Sequence, residues 1–311
     1  MIPRLAIVVP CYNEEKMLKL FIPACREMLD ALMAAEKIKA DSFLMLVDDG
    51  STDGTWKAIV DAHLRDENVR GIRLSRNFGQ QNALYAGLMR VLPACDVSVT
   101  MDADLQDDIA ILPEMFEKYR KGCEIVFGVR SGRPVDTKGK RLAAELFYRC
   151  KKITDPRTIP DHADYRLMSR RVMESLSLYK EQNLYLRGIA ADMGYKSACV
   201  FYERKARKAG KPSYTIKKMT KLAEAGFLCG SGDLSLAGCF LGAAVVQMQI
   251  GAFVGTLRKA AHSNRPAGEG SADAGFRALS VLGQAGMLFL GEAILKETRR
   301  RPRYLVCDST D

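Results

Sequence analysis

Residues 97–107 read VSVTMDADLQD, an apolar and β-branched run that ends in a cluster of acidic residues. The run has the composition of a buried strand, and Asp102 and Asp104 follow it directly. If strand character continues past Met101, the two carboxylates point to the same side, because side chains alternate along a strand. The stretch therefore predicts a strand whose carboxyl end carries paired carboxylates.

Similar runs lie before and after this one, and helical patterns separate them. The predicted strands are 5–9, 43–47, 69–74, 97–101 and 125–129, and the predicted helices are 16–35, 55–64, 80–90 and 111–121. Alternation of strands and helices is typical of βαβ units. We therefore predict an α/β fold with a mostly parallel central sheet.

Two more predicted strands end in polar segments, VPCYNEE at 9–15 and DDGSTDG at 48–54. Tyr12 in the first is suited to stacking on a flat ring, and Asp49 in the second to accepting hydrogen bonds from a base or a ribose. Each segment alone is also explained as a turn with a helix cap. Because strand ends in an open α/β sheet converge on one crevice, we expect Tyr12, Asp49, Asp102 and Asp104 to line one pocket.

The DxD pair is open to several interpretations. Its hard oxygen ligands suit Mg²⁺ or Mn²⁺ bridging a diphosphate, although such a pair alone does not identify a metal site. Phosphatases with an aspartate nucleophile usually have a small hydroxyl residue or Val where this chain has Gln106. An EF-hand loop requires Gly where this chain has Asp107, and a GxGxxG dinucleotide fingerprint does not follow the first strand.

The charge of the chain predicts an anionic partner. The 311 residues carry a net charge of +10, and 48% of them are hydrophobic, so the chain has enough apolar residues for a sizeable core. The excess is uneven, because residues 130–221 contain 23 Lys and Arg against 9 Asp and Glu. A solvated basic face explains such a bias as well as a nucleic acid, a membrane surface or a phosphorylated substrate does.

Cysteine usage and the N-terminal sequence favour a reducing compartment. The nine cysteines are scattered and form no CxxC pair, which is typical of free thiols rather than of a disulfide framework or a zinc site. The apolar run at the N-terminus has strand character and is too short for a signal peptide. We expect the catalytic part to be cytoplasmic.

The second half of the chain changes character twice. Residues 131–221 are basic, with helical patterns at 137–152 and 169–178, and 204–214 form a candidate mobile lid over the site. The 24 residues 234–257 carry no formal charge and are long enough to cross a bilayer, whereas the 14 residues 278–291 are too short. A strongly basic tail follows at 296–303.

Six segments in this order together resemble family 2 glycosyltransferases, in particular the polyprenyl-phosphate subgroup. They are VVPCYNEE, VDDGSTDGT, RNFGQQNALYAGL, MDADLQD, DHADYRLMSRR and NLYLRG, and the resemblance extends from about residue 5 to 219. It implies a GT-A-type nucleotide-diphospho-sugar transferase fold with C-terminal apolar helical segments. The implied domains are a catalytic domain at 1–221, a membrane-associated helical region at 222–295 and a basic tail at 296–311.

The resemblance also implies roles for individual residues. The donor nucleotide would contact Pro10, Tyr12, Glu14, Asp49 and Asp102. The metal, Mg²⁺ or Mn²⁺, would be held by Asp102, Asp104 and Gln106. The catalytic residues would be Asp104, Asp164, Arg166 and Arg187. The substrate phosphates would contact Arg130, Arg133, Asn183, Arg204 and Lys208.

The implied reaction is transfer of a hexose, with inversion, from a nucleotide-sugar to a polyprenyl phosphate at the cytoplasmic face of the inner membrane. By analogy with bacterial members, UDP-glucose is the expected donor. The base, the sugar and the oligomeric state cannot be read from residue spacing, and a homo-oligomer is compatible with the sequence.

The C-terminal region departs from the family pattern. Many relatives carry two transmembrane helices there, but the second apolar run of this chain is short. The connection between the runs begins with Arg258, Lys259 and Arg265, against the expected excess of positive charge on the cytoplasmic side. A packed helix at 234–257 is therefore an alternative to a membrane span.

Two other functions compete with the enzyme. The positive charge would suit a nucleic-acid-binding module, but the aromatic residues do not interleave with the basic run as a stacking platform would, so we expect no nucleic acid. A catalytically inactive membrane scaffold is the second alternative. The intact pair of Asp102 and Asp104 argues against it.

Overall fold

The structure is a computed structural model that describes residues 2–131, 162–181, 185–204, 298 and 302–310. Its contacts divide the chain into two compact units, 1–229 together with 302–311, and 230–301. Apart from Thr298, the described residues belong to the first unit.

Within the described ranges, eight strands form one sheet in the order β7-β5-β6-β4-β1-β2-β3-β8. The strands are β1 Leu5–Cys11, β2 Phe43–Asp48, β3 Val69–Leu74, β4 Val97–Thr100, β5 Ile125–Arg130, β6 His162–Ser169, β7 Ser197–Tyr202 and β8 Val306–Ser309.

The sheet is mixed. Strands β4, β1, β2 and β3 are mutually parallel, and β5 pairs in parallel with β7. Strand β6 runs antiparallel between β4 and β5, and β8 runs antiparallel along β3. The start of β6 therefore lies at the edge where β1, β2, β4 and β5 end. The expected mostly parallel sheet holds for the centre, whereas β6 and β8 make the whole sheet mixed.

In the part of the chain that the structure describes, six helices cover the two faces of the sheet. They are α1 Glu15–Ala34, α2 Thr55–His63, α3 Gln80–Val91, α4 Leu112–Arg120, α5 Arg170–Ser177 and α6 Leu186–Asp192. Buried residues of α1, α2 and α4 belong to one hydrophobic cluster, and those of α3, α5 and α6 to another. Side chains of β1 alternate between the clusters, with Leu5, Ile7 and Val9 in the first and Ala6 and Val8 in the second. The result is a three-layer α/β/α arrangement.

The approach of α3 to the sheet is unusually close, and Gly87 permits it. A Cβ atom at this position would lie 2.4 Å from Val8 Cγ1 and 2.7 Å from Val47 Cγ2. The missing side chain lets the helix sit directly on β1 and β2. The first turn of α3 is thereby held at the carboxyl edge of the sheet.

Among the described residues, none of the helices combines the length and the apolar character that crossing a bilayer requires. The apolar segments 234–257 and 278–291, the helical pattern at 137–152 and most of the lid candidate 204–214 lie outside the described residues. The helical pattern at 169–178 is confirmed by α5. The domain boundaries at 221 and 295 stay predictions.

Candidate active site

The acidic segment after β4 forms a turn rather than a continuation of the strand. Strand β4 ends at Thr100, and Leu105 has a positive φ of 55°. The expectation that strand alternation aligns Asp102 with Asp104 is therefore wrong. The two carboxylates are nevertheless close enough to interact, because Asp104 is one of the groups that raise the pKa of Asp102.

Negative charge is concentrated around Asp102. Burial raises the pKa of this carboxyl group well above its ordinary value, and the carboxylates of Asp107, Asp164 and Asp104 raise it further. The Gln80 side chain donates a hydrogen bond from Nε2 to Asp102 Oδ1 at 2.8 Å. Three other carboxylates thus crowd the Asp102 carboxyl group, and the Arg130 guanidinium partly offsets their effect on its pKa.

Asp164 is the centre of a buried ionic cluster. It lies near the start of β6, which the antiparallel pairing with β4 brings to the carboxyl edge. Arg166 Nη2 lies 2.7 Å from Asp164 Oδ1, and Arg187 forms a forked contact, with Nε 3.0 Å from Oδ1 and Nη2 2.9 Å from Oδ2. Burial acts to raise the pKa of Asp164, but Arg187 and Arg166 outweigh it and hold the pKa well below its usual range. Asp164 is therefore ionised and fixes both guanidinium groups.

Arg166 carries donors that no described residue satisfies. Its side chain is 1% exposed, and within the described ranges its buried Nε and Nη1 atoms have no hydrogen-bond partner. Burial lowers the pKa of this guanidinium, although Asp164 opposes the shift. Such donors are costly in a folded protein and are a common feature of functional sites.

A second ionic group lies beside the acidic turn. The Asp107 carboxylate, which is almost completely buried, accepts hydrogen bonds from Tyr202 Oη at 2.5 Å and from Arg130 Nη2 at 3.2 Å. Burial acts to lower the pKa of Arg130, but Asp107 and Tyr202 outweigh it and raise the pKa. Arg130 was expected to contact a substrate phosphate, and the structure shows its guanidinium paired with Asp107.

The polar segment after β2 is anchored to the start of α3. Asp49 accepts hydrogen bonds from the backbone N–H groups of Phe78 at 2.7 Å and Gly79 at 2.9 Å. Gly50 has a φ of +66°, and a Cβ there would lie 2.3 Å from the carbonyl carbon of Arg76. Asp49 therefore holds the loop before α3 in place, whatever else its carboxylate binds.

The segments after β1 and β2 are joined by hydrogen bonds. Asn13, with a positive φ of 55°, donates its N–H to Ser51 Oγ at 2.9 Å and accepts the N–H of Thr52 at the same distance. The N–H of Glu14 donates to Thr55 Oγ1 at 2.9 Å. These bonds tie the predicted nucleotide-binding segments to each other.

The donor set of the acidic turn fits a divalent cation. Among the described residues, no group of three or more His, Cys, Asp and Glu side chains is placed to hold a metal ion. Mg²⁺, however, is usually bound by one or two carboxylates together with substrate phosphates and water. The carboxylates crowded around Asp102, with Asp104 among them, are consistent with that arrangement. The third predicted ligand, Gln106, accepts a hydrogen bond from Arg204 Nη2 at 2.5 Å.

The structure brings several of the predicted residues together. Asp102, Asp164, Arg166 and Arg187 are linked by hydrogen bonds and ion pairs, Asp104 acts on the pKa of Asp102, and Glu14 lies in the segment that is hydrogen-bonded to the residues after β2. Arg133, Asn183 and Lys208 lie outside the described residues. The roles of all these residues stay predictions.

Sequence reasoning did not assign roles to four residues of the site, Gln80, Gln81, Asp107 and Tyr202. The first two lie in the segment RNFGQQNALYAGL, and Asp107 ends MDADLQD, so the motifs themselves were the available signal. Tyr202 lies in β7, whose alternation of buried and exposed residues carries no such signal.

Comparisons with known proteins place the chain among sugar transferases. A family model described as Glycosyl transferase family 2 matches residues 6–177. The uncharacterized glycosyltransferase YkoT of Bacillus subtilis (strain 168) is 40% identical over 311 residues, which cover 98% of this chain and 91% of the relative. The prophage bactoprenol glucosyl transferase homolog of Escherichia coli (strain K12) is 32% identical over 310 residues, which cover 97% of this chain and 98% of the relative.

Solved structures also resemble the chain, at low sequence identity. The mannosyltransferase PcManGT from Pyrobaculum calidifontis, in complex with GDP-Man and Mn²⁺, has a TM-score of 0.46 and is 16% identical. The match covers 97% of this chain and 89% of that one.

Proposed function

This chain belongs to glycosyl transferase family 2, and on that premise we propose that it transfers glucose from UDP-glucose to a polyprenyl phosphate, with inversion, at the cytoplasmic face of the inner membrane. The observation that carries the proposal is the cluster at the carboxyl edge of the sheet. There, Gln80 joins Asp102 to Asp164, and Asp164 fixes Arg166 and Arg187. Carboxylates for the donor side and guanidinium groups for an anionic acceptor thus lie in one connected group.

The proposed acceptor rests on a relative and on charge. The Escherichia coli relative is named as a homolog of bactoprenol glucosyl transferase, and we extend that acceptor class to this chain. The net charge of +10 suits both an anionic lipid phosphate and the anionic surface of a membrane. We propose on the same grounds that the enzyme works at the membrane surface.

The donor side would be held by the acidic turn and the segments after β1 and β2. We propose that Asp102 and Asp104, with Gln106, hold Mg²⁺ or Mn²⁺ beside the diphosphate of the donor. When bound, the ion would neutralise charge that develops on the departing nucleoside diphosphate. Tyr12 and Asp49 would contribute to binding of the base and ribose.

The acceptor side would use the paired guanidinium groups. A phosphate monoester has a second pKa of about 6, so the acceptor is largely ionised at neutral pH and needs little help from a general base. The main contribution of the protein is then to align the acceptor oxygen with the anomeric carbon. Alignment of well-oriented reactants can lower a barrier by roughly 7–11 kcal/mol. Arg187, held by its forked contact with Asp164, would fix the acceptor phosphate for that attack.

The first test is transfer by the Asp104→Ala variant. We expect wild-type protein with Mn²⁺ or Mg²⁺ to convert undecaprenyl phosphate and UDP-glucose into the glucosyl lipid, detected by product mass. The rate of Asp104→Ala should be at least about 100-fold lower, with an unchanged circular dichroism spectrum, because the metal ion that stabilises the developing charge would lose a ligand.

A matched control is Asp41→Ala. Asp41 is an exposed aspartate just before β2, at the edge of the sheet opposite the site. Its variant should keep a rate within about twofold of wild type. Wild-type activity in Asp104→Ala, or undiminished activity in chelator, would remove the metal from the proposal. A wild-type protein that transfers no sugar from any nucleotide-sugar to a polyprenyl phosphate would refute the proposed acceptor.

A further inference from the structure

The start of α3 contains two adjacent glutamines at the centre of the site. The helix begins at Gln80, directly after Phe78 and Gly79, whose backbone N–H groups donate hydrogen bonds to Asp49. Gly79, the residue before the helix, has a φ of +92°, which turns the chain sharply into the helix. The first turn of α3 is therefore fixed on the backbone side, and its side chains extend from a rigid support.

Gln80 joins two carboxylates that repel each other. Its Nε2 atom lies 2.8 Å from Asp102 Oδ1 and 3.2 Å from Asp164 Oδ2. A carboxamide nitrogen carries two protons, so it can donate one to each carboxylate without adding a net charge. The Gln80 side chain therefore links Asp102 directly to Asp164.

Gln81 connects Asp164 to α6 instead. Its Nε2 atom lies 3.1 Å from Asp164 Oδ2, and its Oε1 atom accepts the N–H of Leu186 at 3.1 Å. Leu186 is the first residue of α6, and the next residue, Arg187, forms the forked contact with Asp164. Gln81 thus holds the backbone that carries Arg187.

We propose that Gln80 and Gln81 are positioning residues with separate tasks. Gln80 sets the place of Asp102 for the donor diphosphate and its cation, and Gln81 sets the place of Arg187 for the acceptor phosphate. This division rests on the proposed function. Both tasks require a neutral group that donates hydrogen bonds to carboxylates, which a glutamate or a methionine of similar size cannot supply.

The test compares Gln80→Met with Gln81→Met. Calorimetry of UDP binding in the presence of Mn²⁺, without acceptor, measures the donor side alone. Steady-state rates then give kcat and the KM of undecaprenyl phosphate at saturating UDP-glucose. Loss of a residue that orients a metal ligand typically lowers metal affinity or activity 10–100-fold.

We expect opposite patterns from the two variants. Gln80→Met should raise the Kd of UDP with Mn²⁺ about 10-fold or more, and its KM for undecaprenyl phosphate should stay within about threefold of the wild-type value. Gln81→Met should leave the Kd of UDP within about twofold and raise the acceptor KM about 10-fold. Gln80→Asn, which keeps a neutral carboxamide N–H donor on a shorter side chain, should bind UDP more tightly than Gln80→Met. Arg90→Gln at the exposed end of the same helix serves as a control and should match wild type.

The outcomes separate this proposal from the proposed function. If wild-type protein binds UDP but transfers no sugar to the lipid, the proposed function fails while the binding arm still tests Gln80. The proposal would be overturned if the Kd of UDP, kcat and the acceptor KM changed equally in both variants and the melting temperature fell. That result would show that the glutamines only stabilise the fold. Constants within twofold of wild type in both variants would overturn it as well.

Discussion

At the scale of single residues, Asp49 illustrates how a site residue can serve structure and binding together. Two adjacent carboxylates at a strand end require hydrogen bonds or a cation. Asp49 meets this requirement with the backbone N–H groups of Phe78 and Gly79. Any nucleotide contact that it makes would therefore come from a carboxylate that also shapes the loop before α3.

The loop next to Asp49 is expected to be intolerant of a side chain at Gly50. Its φ of +66° disfavours other residues, and a Cβ would lie 2.3 Å and 2.6 Å from backbone carbons of Arg76. Gly194→Ala is a matched control, because Gly194 has a φ of +72° and, apart from its chain neighbours, no atom of the described residues lies within 4 Å of its added Cβ. We expect Gly194→Ala to lower the free energy of unfolding by about 1–2 kcal/mol, the cost of the left-handed conformation alone.

Gly50→Ala should cost at least about 3 kcal/mol, because backbone must also shift to relieve the clash. Chemical denaturation of both variants measures the difference. The same backbone shift should displace the N–H groups of Phe78 and Gly79, which donate hydrogen bonds to Asp49, and should therefore weaken UDP binding. Equal destabilisation by the two substitutions would show that the loop at 75–79 does not approach Gly50 as described.

Much of the candidate site could be predicted from the sequence, because its ionic residues lie in motifs. Asp102, Asp104 and Asp164 were identified in this way, and Asp164 proved to be the centre of the cluster. Contacts between elements could not be predicted, since the partner of each side chain depends on the tertiary fold. The link from Gln80 to Asp102 is an example, because it joins residues that are 22 positions apart.

At the scale of elements, the strands β1 to β5 could be predicted, whereas β6, β7 and β8 could not. The expected bounds of β1 to β5 differ from the observed ones by at most two residues at either end, and β3 agrees at both ends. These strands are apolar because helices cover both their faces. Strand β8 has only four residues, all exposed or half-buried, so it has no hydrophobic pattern that could reveal it.

The segment 302–310 is expected to stabilise the edge of the sheet and the helix α3. Besides the strand pairing, the N–H of Thr310 donates to Gly71 O at 3.0 Å, and the N–H of Gly71 donates to Thr310 Oγ1 at 2.9 Å. Tyr304 packs edge-on against Tyr85 of α3, with ring centroids 6.3 Å apart, and the Arg303 guanidinium lies over the same ring. The helix that carries Gln80 is thus braced by the C-terminal segment.

Removal of residues 302–311 should therefore loosen this side of the fold. We expect the free energy of unfolding to fall by about 2–4 kcal/mol, from several hydrogen bonds worth about 1 kcal/mol each and from the lost aromatic contact. Trp56 reports on the same change, because its Nε1–H donates to Asp308 Oδ2 at 3.1 Å. It is the single tryptophan of the chain, and its emission should shift to the red as its indole gains solvent.

A conservative variant separates the loss of the strand from the loss of one side chain. Asp308→Asn keeps an oxygen acceptor for the indole and should retain the emission maximum and the unfolding midpoint of wild type. A truncated chain with unchanged emission and midpoint would contradict the pairing of β8 with β3.

At the scale of the whole molecule, the three-layer fold buries several thiol groups in its core. Burial raises the pKa of Cys25, and it raises that of Cys95 from its ordinary value of 9.0 to about 12. Burial also raises the pKa of Cys11, with further contributions from Asp48 and Glu14. The folded protein therefore keeps protons on these thiols at a pH where the unfolded chain releases them.

This difference predicts a loss of stability in alkaline solution. A pKa that is raised on folding contributes stability that is complete below about pH 9, the pKa of the unfolded thiol, and that is lost as pH rises toward the folded value. Each such thiol should lower the free energy of unfolding by about 1.4 kcal/mol per pH unit above pH 9.

Urea unfolding under reducing conditions at pH 7.5, 9 and 10, followed by Trp56 fluorescence, measures how the free energy of unfolding changes with pH. Cys25→Ala should reduce that slope, and Cys307→Ser, which alters an exposed thiol, should leave it unchanged. If Cys25→Ala and Cys307→Ser have the same slope as wild type, buried thiols do not govern the alkaline stability of this fold.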